Sequence, residues 1–356
     1  MKKILIIQKK RIGDVLTSTV IFEAIKQKYP DAELHYLIYE NAIAVVKNNP
    51  FIDKVIVLDE ATRKGNRKFI LFLFKIRKEK YNAVIDAYGK PNSVIIGWFS
   101  GAKIKVTFNK IYSRIFYSHQ IERHEKSFSV ATKSIEHRLC LLKPLGIEFS
   151  EIAPKIFLTE QEKENAKQRL ISKNINLSIP IVMLNVMGSS MWKSYPLEYM
   201  AEVIDLIAMR NVQILFNYSV GQENEINKIY AFCRKETQEK IFLDLYESDL
   251  RQFIATTSLC NALIGNEGGA TNISKALTIP TFSIFTPNVK RQDWSYFENE
   301  TTIVTAHIDD YISENDKIEV EELYKIQDIP TIYKKFKPNL FAKKLNQFLD
   351  FNLRQL

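Results

Sequence analysis

Short apolar runs alternate with stretches of helical spacing along most of the chain. Runs at 3–8, 34–38, 55–58 and 83–86 read as buried strands, with helices expected between them over 15–29, 41–47 and 64–80. Pro30 stops the first of these helices. A strand is expected over 103–108, a loop over 109–124, and a long helix over 126–145 ended by Gly146. The segment 146–158, with Pro154, reads as a linker. The alternation then resumes, with helices expected over 160–172, 196–209, 222–234 and 249–256. Strands are expected over 181–186, 212–218, 241–243, 262–264 and 281–285. Residues 287–335 are polar and irregular, and 337–353 form a final amphipathic helix. Such alternation builds parallel α/β sheets. The expected architecture is therefore two Rossmann-like domains with a cleft between them.

One stretch stands out against this pattern. Gly265-Asn266-Glu267-Gly268-Gly269-Ala270-Thr271-Asn272 joins an apolar run to a short helix, which leads through Pro280 to a second apolar run. Paired glycines let backbone approach a ligand closely, and a helix start offers free N–H groups to an anion. An ordinary strand-to-helix turn would look the same. Ligands of open α/β sheets bind at the carboxyl ends of the strands. The loop from Lys9 to Asp14, after the first strand, holds the equivalent place in the first half, so the two loops would face each other across the cleft.

Charge sharpens the contrast between the halves. Residues 1–160 hold 28 Lys and Arg against 16 Asp and Glu, a net of +12; residues 161–356 hold 22 against 25, a net of −3. A basic first half suits an acidic partner, such as nucleic acid, an anionic membrane surface or a phosphorylated substrate. Within it, 63–80 surrounds the apolar run 69–74 with eight Lys and Arg. A sheet-packing helix with a solvated basic face is one reading, and contact with anionic lipid is the other. That apolar run is far too short to span a bilayer, and Met1-Lys2-Lys3 leads straight into strand without a secretory h-region. Cys140, Cys233 and Cys260 are scattered with no CxxC pair, which suits a reducing compartment and excludes a disulfide framework. A cytoplasmic location is expected.

Several chemistries are missing from the pattern. No GxGxxG follows the first strand, no GxxxxGK[ST] occurs, and neither HExxH nor a DxD triplet is present. A P-loop protein is excluded, and neither a nicotinamide enzyme, a cofactor nor a metal is expected. Asp14 ends a basic loop just before a helix; it is either a first-turn acid or a general base beside cations that hold an acidic acceptor. Lys193 lies in Gly188-Ser189-Ser190-Met191-Trp192-Lys193-Ser194-Tyr195-Pro196, after a strand and before a helix. It is either solvated or placed to neutralise a diphosphate, with Ser189 and Ser190 donating to the same oxygens. Glu223 and Glu225 follow Gly221; either could hold a ribose hydroxyl pair, or be a first-turn helix acid.

Three stretches together resemble glycosyltransferase family 9, the ADP-heptose:lipopolysaccharide heptosyltransferases. Ile4-Leu5-Ile6-Ile7 followed by Arg11-Ile12-Gly13-Asp14-Val15-Leu16-Thr17-Ser18-Thr19 looks like the family's opening strand and RxGDxxxxTP motif, continued by Tyr29-Pro30-Asp31-Ala32. Lys193-Ser194-Tyr195-Pro196 looks like its K-x-W-P, and 265–272 with Ala276-Leu277 and Pro280-Thr281 looks like its G-N-D-S-G-x-x-H-x-x-x-A-L-x-x-P-T signature. The resemblance implies an α/β protein of GT-B fold, two Rossmann-like domains with parallel sheets facing across a central cleft. It divides the chain into an acceptor-binding domain, 1–158, a nucleotide-sugar-binding domain, 159–336, and a terminal helix, 337–356, that packs back on the first domain.

The same resemblance implies inverting, metal-independent transfer of heptose from ADP-heptose to the lipopolysaccharide inner core. Asp14 would deprotonate the acceptor hydroxyl, with Lys10, Arg11 and Gly13 on the acceptor side. Gly188, Ser189 and Lys193 would contact the donor's phosphates, and Glu223 or Glu225 the ribose. Glu267, Gly268, Gly269, Ala270, Thr271 and Asn272 would hold the donor sugar and diphosphate. The implied partners are the donor, a phosphorylated glycolipid acceptor of lipid A–Kdo type and the cytoplasmic face of the inner membrane, with no nucleic acid. The sequence departs from the family where Glu267 stands for Asp, Gly268 for Ser or Thr, Asn272 for His and Val20 for Pro. These departures bear on the donor sugar, and they admit a weakly active or non-catalytic nucleotide-sugar-binding member.

Overall fold

The computed structural model describes residues 2–9, 11–243, 245, 247, 249–312 and 329–353. Two compact units emerge: Met1–Phe157 with Gln292–Tyr296, and Leu158–Arg291 with Phe297–Leu356.

The first unit is built on six strands, β1 (Lys3–Ile7), β2 (Glu33–Ile38), β3 (Lys54–Val57), β4 (Ala83–Asp86), β5 (Ile104–Phe108) and β6 (His119–Ile121). They pair in parallel in the order β3-β2-β1-β4-β5-β6. The order reverses between β1 and β4, and a crevice opens beyond the strand ends at such a point. The second unit repeats the plan with β7 (Ile181–Asn185), β8 (Gln213–Asn217), β9 (Ile241–Phe242), β10 (Ala262–Asn266), β11 (Thr281–Ile284) and β12 (Ile303–Ala306). Their order is β12-β11-β10-β7-β8-β9, again all parallel, with the reversal between β7 and β10. β7 and β10 are buried at every position, as strands covered by helices on both faces must be.

Several expected elements differ in extent, each for a local reason. The helix expected over 15–29 is two, Ile12–Thr17 and Val20–Lys28. Thr17, Ser18 and Thr19 turn their hydroxyls back onto the carbonyls of Gly13, Asp14 and Leu16 at 2.7–2.8 Å, and this back-bonding breaks the run. The long helix over 126–145 contracts to Thr132–Cys140. A helix over Pro91–Phe99 is additional; its sequence is almost uniformly apolar and carries no period to reveal it. β6 lies in the stretch expected as a loop, and β12 in the stretch expected as irregular. Much of that second stretch, 313–328, lies outside the described residues.

The terminal helix, Pro338–Asn352, belongs to the second unit, where a return to the first domain was expected. Phe341, Leu345, Phe348 and Leu349 form one stripe at helical spacing, and all four are buried in the core around β10, β11 and the helix Leu197–Ala208. Phe341 and Phe348 lie 6.0 and 5.7 Å from the Phe282 ring of β11. Asn352 fixes the far end by donating to the Thr301 carbonyl at 2.8 Å.

Candidate functional site

In the first unit a cavity of about 410 Å³ lies beyond the carboxyl ends of β1, β4, β5 and β6. Gln8 enters from the end of β1, Tyr88 and Lys90 from the turn after β4, Phe108 from the end of β5, and Arg123 from just after β6. The helix Thr132–Cys140 adds Ser134, His137 and Arg138, which share one face at spacings of three and four. Asp14 projects from the first turn of Ile12–Thr17. It makes no capping bond to its own helix; instead Arg138 donates to its Oδ1 at 2.8 Å. Arg138 is fixed in turn, donating to Ser18 Oγ at 2.7 Å and to the Ser134 carbonyl. Oδ2 of Asp14 takes no hydrogen bond from the described residues, so one carboxylate oxygen is anchored and the other is open to the cavity.

The walls are cationic. Lys90, Arg123, Lys133 and Arg138 face the space against two carboxylates, Asp14 and Asp293. Lys133 pairs with Asp293 at 2.6 Å. Arg123 sits over the Phe108 ring, its guanidinium carbon 4.0 Å from the centroid, and burial, with Arg138 close by, lowers its pKa. His137 donates its Nε2–H to the His124 carbonyl at 3.1 Å. Burial first, and then the nearby charges of Arg123 and Arg138, push its pKa down to about 4, so it is neutral at pH 7. Gln8 presents a buried Oε1 with no partner among the described residues. Below the floor, Lys9 is fully buried, donates to Asn92 Oδ1 at 2.6 Å and is brought down to about 8 by desolvation. A phosphorylated polyol suits this space: cations for its phosphates, Gln8 for a hydroxyl, and a fixed carboxylate to take a proton.

In the second unit, two loops at the carboxyl ends of β7 and β10 are tied together. Asn185 Nδ2 donates to the Asn266 carbonyl at 2.7 Å, and Asn266 Nδ2 returns a bond to the Asn185 carbonyl at 3.0 Å. Asn266 Oδ1 accepts from the Tyr195 N–H at 2.7 Å, which pins the segment carrying Lys193 beside the glycine turn. Gly265 is required by this proximity: its φ is +135°, and a Cβ there would lie 2.3 Å from the Asn185 carbonyl oxygen. Gly188 donates to Ser194 Oγ at 3.0 Å and accepts from Gln222 at 3.0 Å, so its backbone is already committed to closing its own loop. Lys193 stacks on Trp192 with Nζ 5.0 Å from the ring, Ser189 is exposed, and Ser190 Oγ is buried without a partner among the described residues.

The helix Gly269–Ala276 starts at the glycine pair. A Cβ on Gly268 or Gly269 would meet nothing within 4 Å, so packing does not explain these glycines, and the space in front of the helix start is open. Thr271 Oγ1 is used locally, bonded with the backbone of Gly268, and Ala270, Thr271 and Asn272 are buried, so this turn presents backbone N–H groups. Glu267 lies in the field of Lys275, which is buried and brought down to about 8 by desolvation. Glu223 is exposed and accepts from the Gly221 N–H at 3.1 Å; its pKa is lowered by backbone N–H groups at its own helix start. That is the geometry of a first-turn acid.

The sequence-derived residues thus fall in two groups, one in each unit. Asp14 lines the first-unit cavity, with Gly13 beside it in the same turn. Arg11 precedes them, exposed and at φ 64°, a left-handed conformation that a non-glycine residue adopts only under local constraint. Lys10 lies outside the described residues. Gln8, Lys90, Arg123, Lys133, His137 and Arg138 were not anticipated. For Ser134, His137 and Arg138 a signal existed: polar residues at helical spacing beside the apolar pair Ile135 and Leu139.

Comparison with known proteins gives these features a family. Lipopolysaccharide heptosyltransferase 1 of Campylobacter coli is 25% identical over 294 residues, covering 80% of this chain and 83% of the relative. Lipopolysaccharide heptosyltransferase 3 of Escherichia coli is 20% identical over 295 residues, with 80% and 84% covered. Among solved structures, a family 9 glycosyl transferase from Veillonella parvula superposes with a TM-score of 0.76 at 20% identity, covering 96% of this chain and 98% of that one. The E. coli ADP-heptose lps heptosyltransferase II superposes with a TM-score of 0.72 at 15% identity, with 98% of each chain covered. At these identities the superpositions speak for the fold, and it is the expected one, an α/β chain of two Rossmann-like units of GT-B type. A sequence model of glycosyltransferase family 9 (heptosyltransferase) matches residues 72–323, well over half the chain and inclusive of the glycine turn, the Lys193 loop and most of the cavity-lining residues, and on that match the chain belongs to glycosyltransferase family 9.

Proposed function

We propose that this family 9 glycosyltransferase carries out inverting, metal-independent transfer of heptose from ADP-heptose to the lipopolysaccharide inner core, at the cytoplasmic face of the inner membrane. Heptose and lipopolysaccharide stand in the names of the two curated relatives from Campylobacter coli and Escherichia coli, and ADP-heptose in that of the E. coli structure. The observation that carries the reading is Asp14: Oδ1 held by Arg138, Oδ2 open to a cationic cavity at a sheet's switch point. In the proposed reaction the acceptor hydroxyl attacks the anomeric carbon and its proton passes to Asp14 Oδ2. The bond from that carbon to the diphosphate oxygen breaks, and ADP leaves. Lys193, Ser189 and the helix start at Gly269 would stabilise the departing diphosphate, with Gly188 and Gly268, whose N–H is committed to Thr271, shaping the loops. Glu223, or Glu225 beside it, would reach the ribose. Glu267 and Asn272 would border the sugar, and Arg11, Gly13 and Lys10 the acceptor.

The test pairs turnover with binding. Asp14→Asn is expected to lower transfer by about 10²–10⁴-fold, the usual weight of a general base, while the thermal shift given by ADP-heptose stays as in the parent protein. Retained transfer removes the base assignment. A shift with UDP- or GDP-sugars alone replaces the donor, the alternative that the Glu267 and Asn272 departures leave open.

A further inference from the structure

The helix Asn66–Lys78 is apolar on two faces, and only one faces the core. Leu73 and Ile76 pack inward, while Ile70, Leu71 and Phe74 stand 52–55% exposed. The apolar surface continues across neighbouring elements through ring contacts. Phe74 meets Phe99 at 5.3 Å, Phe99 meets Trp98 at 6.4 Å, and Trp98 meets Phe116 at 5.6 Å. It ends in the segment after β5, where Ile111 and Ile115 are 85% and 83% exposed. That segment is fixed at the rim of the cavity, because Lys110 Nζ and Tyr112 Oη both donate to the Gly89 carbonyl, at 2.9 and 2.7 Å. Gly89 lies between the cavity-lining Tyr88 and Lys90. An exposed apolar strip of this extent marks a contact surface.

Charge indicates what it contacts. Residues 63–116 hold 13 Lys and Arg against two acids, Glu79 and Asp86, a net of +11, although Arg63 and Lys64 at its start pair with Glu60 just before it. Neither acid faces outward freely: Glu79 is held by Lys3 and Lys54 at 2.8 and 2.6 Å, and Asp86 is fully buried. Arg77 caps the Phe99 ring, and Lys75, Lys78 and Arg114 are exposed along the strip. Large apolar side chains interleaved with unopposed cations fit an anionic bilayer surface, the apolar groups entering the headgroup boundary and the cations meeting the phosphates.

We infer that the strip from Ile70 to Ile115 docks the first unit on anionic membrane, with the rim at Gly89 bringing the Asp14 cavity to the lipid surface. The inference rests on the proposed lipid-linked acceptor, and its test is separable from that reading. Sedimentation with vesicles of phosphatidylcholine, or of phosphatidylcholine mixed with phosphatidylglycerol, reads the docking directly. The protein is expected to sediment with the mixed vesicles and to be released by salt. Ile111→Ser combined with Ile115→Ser should weaken that partition about tenfold or more, from the apolar area lost. Lys75→Gln, Lys78→Gln and Arg114→Gln should each weaken it roughly fivefold. All these positions are exposed, so the variants should keep the parent melting temperature and the ADP-heptose thermal shift. Failure of the parent protein to bind mixed vesicles, or unchanged partition of the isoleucine variant, overturns the inference. So does a dimer in light scattering that the isoleucine variant dissociates, since the strip would then join two copies of the chain. Loss of the ADP-heptose response with vesicle binding intact counts against the transferase reading and leaves the docking in place.

Discussion

His137 donates its Nε2–H to the His124 carbonyl and lies near the guanidinium groups of Arg123 and Arg138, in a pocket partly closed to water. Burial pushes its folded pKa down to about 4 from the usual 6.5, so between these values the unfolded chain binds the proton and the folded protein does not. Stability therefore rises with pH across that window and is lost as the pH falls from 6.5 towards 4. Discounted for partial exposure, the contribution is roughly 1–2 kcal/mol. His137→Gln should flatten this part of the profile, visible as a melting temperature about 2–6 °C less sensitive to acid than the parent's. Parallel profiles would mean that His137 is solvated after all. The residue also shows why the site was only partly legible in the sequence. Asp14 was found because it ends a basic loop after the first strand. His137, Arg138 and Arg123 come from elements far along the chain, and only the folded sheet brings them to that carboxylate.

The second-unit turn separates glycines that the fold needs from glycines that leave room. Gly265→Ala would drive a Cβ into the Asn185 carbonyl at a φ of +135°, so it should cost about 3 kcal/mol or more and loosen the Asn185–Asn266 latch. Gly269→Ala meets nothing within 4 Å and sits at a helix start, so stability should stay within about 0.5 kcal/mol. If the turn takes the diphosphate, however, Gly269→Ala should reduce the ADP-heptose thermal shift by filling the approach. An alanine variant that melts normally and binds normally would leave the turn without a ligand role. This distinction was not readable from spacing, which shows all three glycines of the region alike. The strands were readable, because buried parallel strands are continuous apolar runs between turns. The helix Pro91–Phe99 was not, because its run from Val94 to Phe99 is continuously apolar and shows no helical period.

The two units share one strand order but divide the chemistry, and the division is testable because each closes its own core. The glycine turn, the Lys193 loop and Glu223 all belong to the second unit, as does the terminal helix Pro338–Asn352. A fragment of residues 158–356 should therefore fold cooperatively and keep its ADP-heptose response, even with Gln292–Tyr296 separated from the first unit. The same fragment cut at 336 loses Phe341, Leu345, Phe348 and Leu349, all at most 1% exposed. At about 2–5 kcal/mol for each large buried side chain removed, the loss matches the whole stability of an ordinary domain, about 5–15 kcal/mol. The shorter fragment should show no cooperative melt by circular dichroism. A cooperative melt from it would return the terminal helix to the role first expected, as an appendage of the acceptor domain. The charge asymmetry gives the longer fragment a second expectation. It lacks the basic strip of 63–116, so it should bind the nucleotide sugar yet fail to sediment with anionic vesicles. Donor recognition and membrane attachment would then sit on separate halves of one chain.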